Sequence, residues 1–178
     1  MSGKIDSNLN TFLKIGGLSQ DDESRLTQIS ALVTPALAEM TDRFYAILQE
    51  DSQTAPYLVG RLDSLKSTHL QWMKDLFSGN YGDEFIKRQQ FIGEVHVRVK
   101  VPPVFVAASM SFLRAAIPAI IAKHITNDSD VSKASSAVMR LLDLCHYLID
   151  RKYSEALMEN LGISPALLLR LQSLAKKI

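Results

Sequence analysis

Apart from its 19 carboxylates, the sequence offers few side chains with ligand or acid–base chemistry: four histidines, one cysteine and five tyrosines. His96 stands in Ile92-Gly93-Glu94-Val95-His96-Val97-Arg98-Val99. A neutral imidazole is a competent ligand for a first-row transition metal, although a lone histidine is more often a surface residue or a satisfied core residue. Tyr45 follows Phe44 and carries a phenol that can donate one hydrogen bond; its ordinary role is that of a core aromatic with a locally satisfied hydroxyl. Cys145–His146 places a thiol beside an imidazole, yet neighbours on a helix point in different directions and make a poor nucleophile pair. A single cysteine commonly serves as a small buried apolar residue. His69 and His124 read as solvated or partly buried residues without a special role, and Trp72 and Phe77 as core aromatics. The four histidines lie in separate segments without zinc-like spacing. The sequence has no Gly-x-Ser-x-Gly elbow, no phosphate-cradling glycine loop and no His-Glu-x-x-His helix. Hydrolase chemistry is not expected.

The elements that must position these residues read as helices. Ser19 with Asp22 and Glu23 forms an N-cap and an acidic first turn, and Leu26, Ile29, Leu32 and Val33 follow at helical spacing. Thr34–Pro35 is expected to end that helix and start the next, because proline is tolerated at a first helical position. Leu37, Met40, Phe44, Ile47 and Leu48 then share one face. Residues 51–60 read as a loop, and Leu62, Leu65, Leu70, Met73, Leu76 and Phe77 as an amphipathic helix closed by Ser78-Gly79-Asn80. Gly82–Asp83 opens a segment that runs to Pro102–Pro103. A long helix to about Thr126 follows, with Pro118 inside it. The last long helix is expected to begin at Ser129 or Asp130 and to stop at Gly162.

One stretch carries two patterns. Val95, Val97, Val99 and Val101 alternate with polar residues as in a strand, whereas Phe85, Gln89, Ile92, His96 and Val99 fall on one side of a helix. A strand would lack a partner in a helical chain, so context favours the helix while periodicity alone leaves both open. The fold class expected is all-α.

Composition sets the outer limits. The chain has 178 residues, 47% hydrophobic and 22% charged, with a formal net charge of +1. That length fits one domain, and a chain with no clustered basic excess is not expected to bind nucleic acid. Cys145 as the single cysteine excludes an internal disulfide and fits a reducing compartment. The first residues, MSGKIDSNLN, lack the apolar core of a signal peptide. The apolar stretch 101–122 is interrupted by Arg114 and three prolines, and its uncharged runs are expected to fall short of a membrane span. A cytoplasmic location is expected.

Three segments in this order carry a resemblance. Ile92-Gly93-x-x-His96 with Val99 three positions on and Pro103 shortly after is similar to the proximal segment of globin-coupled sensors and protoglobins. Phe44–Tyr45 resembles their distal tyrosine region, and Leu65-Lys66-Ser67-Thr68-His69-Leu70-Gln71-Trp72 their distal helix. A helix before the usual first globin helix is also typical of the family, and residues 6–15 are placed to supply it. The resemblance covers residues 6–160; Lys100 departs from it where many members have glycine, as does Phe105–Val106 where they have an aromatic pair.

The resemblance implies a globin fold, a three-over-three helical sandwich with an additional N-terminal helix, spanning residues 1–160. It further implies haem b (iron protoporphyrin IX) with His96 as metal ligand and an open position for a diatomic gas, O₂, CO or NO. Tyr45 becomes the distal hydrogen-bond donor, and Thr68 holds that hydroxyl or contacts the gas. Phe44, Leu65, Val99 and Phe105 become apolar walls of the cofactor site, and Gly93 lets the helix backbone approach the porphyrin. Residues 161–178 become a linker to an output domain such as a diguanylate cyclase or chemotaxis transducer. A homodimer through the last two long helices also follows from the family, using surface such as Val104, Ala108, Phe112, Leu148 and Leu157. Two other classes compete: a haem-free globin-like interaction module, which has no need of a matched ligand and donor, and a haem enzyme, which needs a reductase or a distal acid–base group.

Overall fold

The computed structural model describes residues 7–174. Among them are seven helices: α1 Ser7–Gly16, α2 Gln20–Glu50, α3 Leu62–Asp75, α4 Asp83–Arg98, α5 Pro103–His124, α6 Asp128–Leu161 and α7 Pro165–Leu174. A 3-10 turn, Ala55–Tyr57, follows α2, and no strand occurs among the described residues. Residue 6 of the expected first helix and residues 175–178 of the expected linker lie outside them.

Helix α2 starts where its sequence signals. The Ser19 hydroxyl accepts from the Asp22 N–H at 3.2 Å, and the Asp22 carboxylate accepts from the Ser19 N–H at 2.9 Å, a reciprocal capping box. The expected corner at Thr34–Pro35 is not there: α2 continues through Pro35. Proline removes one backbone bond and crowds the preceding turn, at a cost of about 3 kcal/mol. Leu26, Ile29, Val33, Leu37 and Met40 nevertheless form one buried stripe across it, and that shared core face keeps both halves on one axis.

Helix α6 begins earlier than expected. Asn127 is its N-cap, with its side-chain oxygen accepting from the Asp130 N–H at 3.1 Å. It ends at Gly162, whose φ of 64° is the left-handed conformation that closes a helix without steric cost. Ala134, Val138, Leu141, Leu142, Cys145, Leu148 and Ile149 bury its inner face. Helices α4, α5, α2 and α1 all pack on α6, so it is the central element of the core. Leu148 therefore belongs to that core, and Phe112 packs against Phe44 at 5.2 Å between ring centroids. Of the apolar surface expected to be spare, Val104, Ala108 and Leu157 remain exposed.

Helix α5 is long and apolar enough to cross a membrane by length and composition, contrary to the expectation. Val106, Met110, Leu113, Ile117 and Ile121 are nevertheless buried in the core of the fold.

The Val95–Val101 ambiguity resolves into helix and cap. Helix α4 runs to Arg98, after which the Lys100 N–H bonds the Val97 carbonyl and the Val101 N–H bonds the His96 carbonyl, both at 3.0 Å. This is a Schellman motif, with Lys100 at φ 59° in the place usually held by glycine. A lysine here adopts a conformation that ordinarily favours glycine.

Candidate functional site

Helices α2, α3, α4 and α5 leave a cavity of about 430 Å³ between them, with Ile149 of α6 at its back. That volume lies in the range of cofactor sites, roughly 300–1,000 Å³. Its walls are mostly apolar: Phe44 and Leu48 from α2, Leu65 and Trp72 from α3, Ile92, Val95 and Val99 from α4, and Phe105, Val106 and Met110 from α5. A larger hollow of about 640 Å³ lies between α1, α5 and α6. There Arg114 makes two bonds to Asp143, at 2.9 and 2.6 Å, and Arg140 bonds Asp22 of α2.

His96 lines the cavity from the last turn of α4. Its backbone carbonyl is the anchor of the Schellman turn, and the following residues are tied down as well. Tyr57 donates to the Lys100 carbonyl at 3.0 Å and Tyr153 to the Val101 carbonyl at 2.8 Å. The imidazole is held below its ordinary pKa by burial, partly offset by the Ile92 carbonyl one turn back. A neutral ring keeps a lone pair for a metal. Its Nδ1 is buried and faces the Ile92 carbonyl, in a contact too poorly aligned to count as a full hydrogen bond.

Tyr45 of α2 and Thr68 of α3 line the same cavity. Tyr45 is 6% exposed, and burial pushes its phenol up to about 12, so it stays protonated. Its hydroxyl donates to the Leu65 carbonyl at 3.1 Å. Thr68 donates to the Leu65 and Ser64 carbonyls, each at 3.0 Å. The expectation that Thr68 holds the Tyr45 hydroxyl is therefore corrected: both hydroxyls meet on the Leu65 carbonyl, because a threonine on a helix finds its own preceding turn first.

Gly93 is the second correction. It is buried but does not line the cavity, and a Cβ at this position would lie 2.6 Å from the Ile149 carbonyl oxygen and 2.9 Å from Lys152 Cγ. Its missing side chain lets α4 approach α6, not a cofactor.

His69 was not expected at the site. It lies one helical turn after Leu65 and three residues before Trp72, a shared face that its position in the sequence already implied. Its ring lines the cavity, and burial lowers its pKa to about 4. Trp72 is fixed by its Nε1–H bond to the Gln89 side chain at 2.8 Å, which joins α3 to α4.

The sequence profile of the Protoglobin family matches residues 5–159. The chain belongs to the protoglobin family. Its helical arrangement is that of the globin domains of globin-coupled sensors. The globin domain of a globin-coupled sensor from Geobacter sulfurreducens superposes with a TM-score of 0.75 at 26% identity, over 81% of this chain and 96% of that one. The globin domain of DosC from E. coli matches in its ferric form at a TM-score of 0.69 and 15% identity, over 82% and 99% of the two chains. Its ferrous form matches at 0.68 and 17%, over 80% and 99%. The expected globin sandwich with an extra N-terminal helix is thus the fold of this protoglobin, with α2 continuous through Pro35.

The family implies a haem cofactor, and the cavity fits one. No group of three or more His, Cys, Asp or Glu side chains among the described residues forms a metal cage. A porphyrin needs no such cage, since the protein contributes only axial ligands. An apolar cavity lined by a neutral imidazole meets that need.

Proposed function

We propose that this protoglobin is a haem-based gas sensor that binds O₂ reversibly, and CO and NO as well, at a haem b held by His96. The supporting observation is the His96 imidazole, kept neutral by burial and lining an apolar cavity of cofactor size. Bound there, the cofactor supplies an iron atom with one position available to a diatomic gas. His96 contributes its ring nitrogen, and the Schellman turn holds its backbone in place. Phe44, Leu65, Val99 and Phe105 keep water away from the reactive face. Tyr45 donates its proton to a polar diatomic ligand after leaving the Leu65 carbonyl.

The remaining assignments follow from the same kinship. The sensor reports to an output domain, such as a diguanylate cyclase or chemotaxis transducer, in the cytoplasm, and α7 with its exposed Leu167, Leu169 and Leu171 is the connecting element. Exposed Val104 and Leu157 on α5 and α6 supply apolar surface for a homodimer.

Reconstitution with iron protoporphyrin IX tests the reading. The wild-type chain is expected to take up one haem and to shift its Soret band on reduction and on addition of CO. His96→Ala is expected to lose stable incorporation; an unchanged Soret spectrum in that variant refutes the ligand assignment.

A further inference from the structure

The proposed gas site leaves one imidazole of the cavity without a task. His69 is stacked on Phe44 at 5.0 Å between centroids and on Trp72 at 5.7 Å, with Tyr45 edge-on at 5.7 Å. Three aromatic rings therefore fix its plane. Its single hydrogen-bond contact joins Nδ1 to the hydroxyl of buried Thr41, on α2, at 3.4 Å. In the tautomer that donates from Nδ1 to that oxygen, the lone pair is on Nε2. An imidazole oriented through one nitrogen and free at the other is the way proteins present a metal ligand. His69 comes from α3 and His96 from α4, and both line the same cavity.

We propose that His69 is a second axial ligand of the haem iron, occupying the gas position when no gas is bound, with Thr41 as its positioning residue. This rests on the haem reading above. Gas binding then breaks the bond from His69 Nε2 to iron and forms the bond from iron to gas, with no net transfer of electrons or protons. The apparent gas affinity falls by the fraction of molecules in which His69 has let go, so the distal helix reads out occupancy through its own ligand.

Absorption spectra of the full chain loaded with iron protoporphyrin IX, ferric and ferrous, together with ferric electron paramagnetic resonance, test this. The wild type is expected to be low-spin and six-coordinate in both states without added gas. His69→Leu is expected to become five-coordinate and high-spin when ferrous, with CO association faster by about tenfold or more; His69→Gln gives the same readout should the leucine variant fold poorly. Thr41→Val is expected to keep its haem and move part of the population to high spin, while Tyr45→Phe stays low-spin. A wild type with full haem content and a five-coordinate ferrous spectrum overturns His69 ligation and leaves His96 intact. A low-spin spectrum that survives loss of His69 also overturns it, and an unchanged Thr41→Val removes the positioning role. Failure of the wild type to take up haem overturns both readings together.

Discussion

Tyr45 has one proton and two claims on it. In the structure the Leu65 carbonyl holds it, and that same carbonyl also accepts from Thr68. Release of Tyr45 therefore leaves the carbonyl satisfied, so the phenol can turn to a gas at the cost of one neutral hydrogen bond, about 1 kcal/mol. Tyr45→Phe is expected to speed O₂ release by about tenfold and CO release far less, since CO is a weaker acceptor. Stopped-flow dissociation with both gases checks this, and equal changes would remove the donor role. Asp22 gives a second residue-scale expectation. Burial pushes its carboxyl up, but its bonds to Ser19 and the Arg140 guanidinium outweigh burial and hold it below the ordinary value. A depressed carboxylate stabilises the fold above its unfolded pKa of about 3.9 and ceases to do so as pH falls through the folded value. Asp22→Asn is expected to cost about 1–3 kcal/mol at neutral pH and to flatten the acid limb of the stability curve below about pH 4, as urea melts across pH 2.5–7 would show.

At the scale of elements, the end of α4 decides how firmly His96 is placed. Two Schellman turns can be compared in this molecule. At Gly162 the left-handed residue has no side chain to crowd its backbone, whereas at Lys100 a Cβ is forced into the same region. That costs about 1–2 kcal/mol for an L-residue. Lys100→Gly is accordingly expected to raise stability by about 1 kcal/mol, seen as a higher urea midpoint at unchanged slope. A lower midpoint would mean that the lysine side chain contributes something its backbone conformation conceals.

At the scale of the whole molecule, the site depends on how closely α4 lies on α6. Gly93 is the point of contact, facing the Ile149 carbonyl and Lys152. Ile149 also lines the cavity, so packing at this crossing reaches the site directly. Gly93→Ala is expected to cost about 1–3 kcal/mol through overpacking and, by moving α4 outward, to weaken haem retention. Denaturant melts with and without haem separate the two effects, and a neutral substitution would show that the helices have slack here.

Helical spacing, the Ser19 cap, the Gly162 stop and the His96 segment were all legible in the residues themselves, because each depends on neighbours within about one turn. The helix through Pro35 was not, since a local breaker was overruled by a buried stripe that exists only once α2 meets its partners. Nor was the role of Gly93, whose missing side chain matters only where another backbone passes. His69 shows the division most plainly. Its place on the Leu65–Trp72 face followed from the period of the helix, but its meeting with Thr41 and its place in the same cavity as His96 came from the crossing of α2, α3 and α4. A period of 3.6 residues determines which side chains share a face; only the packing of helices decides what each face confronts.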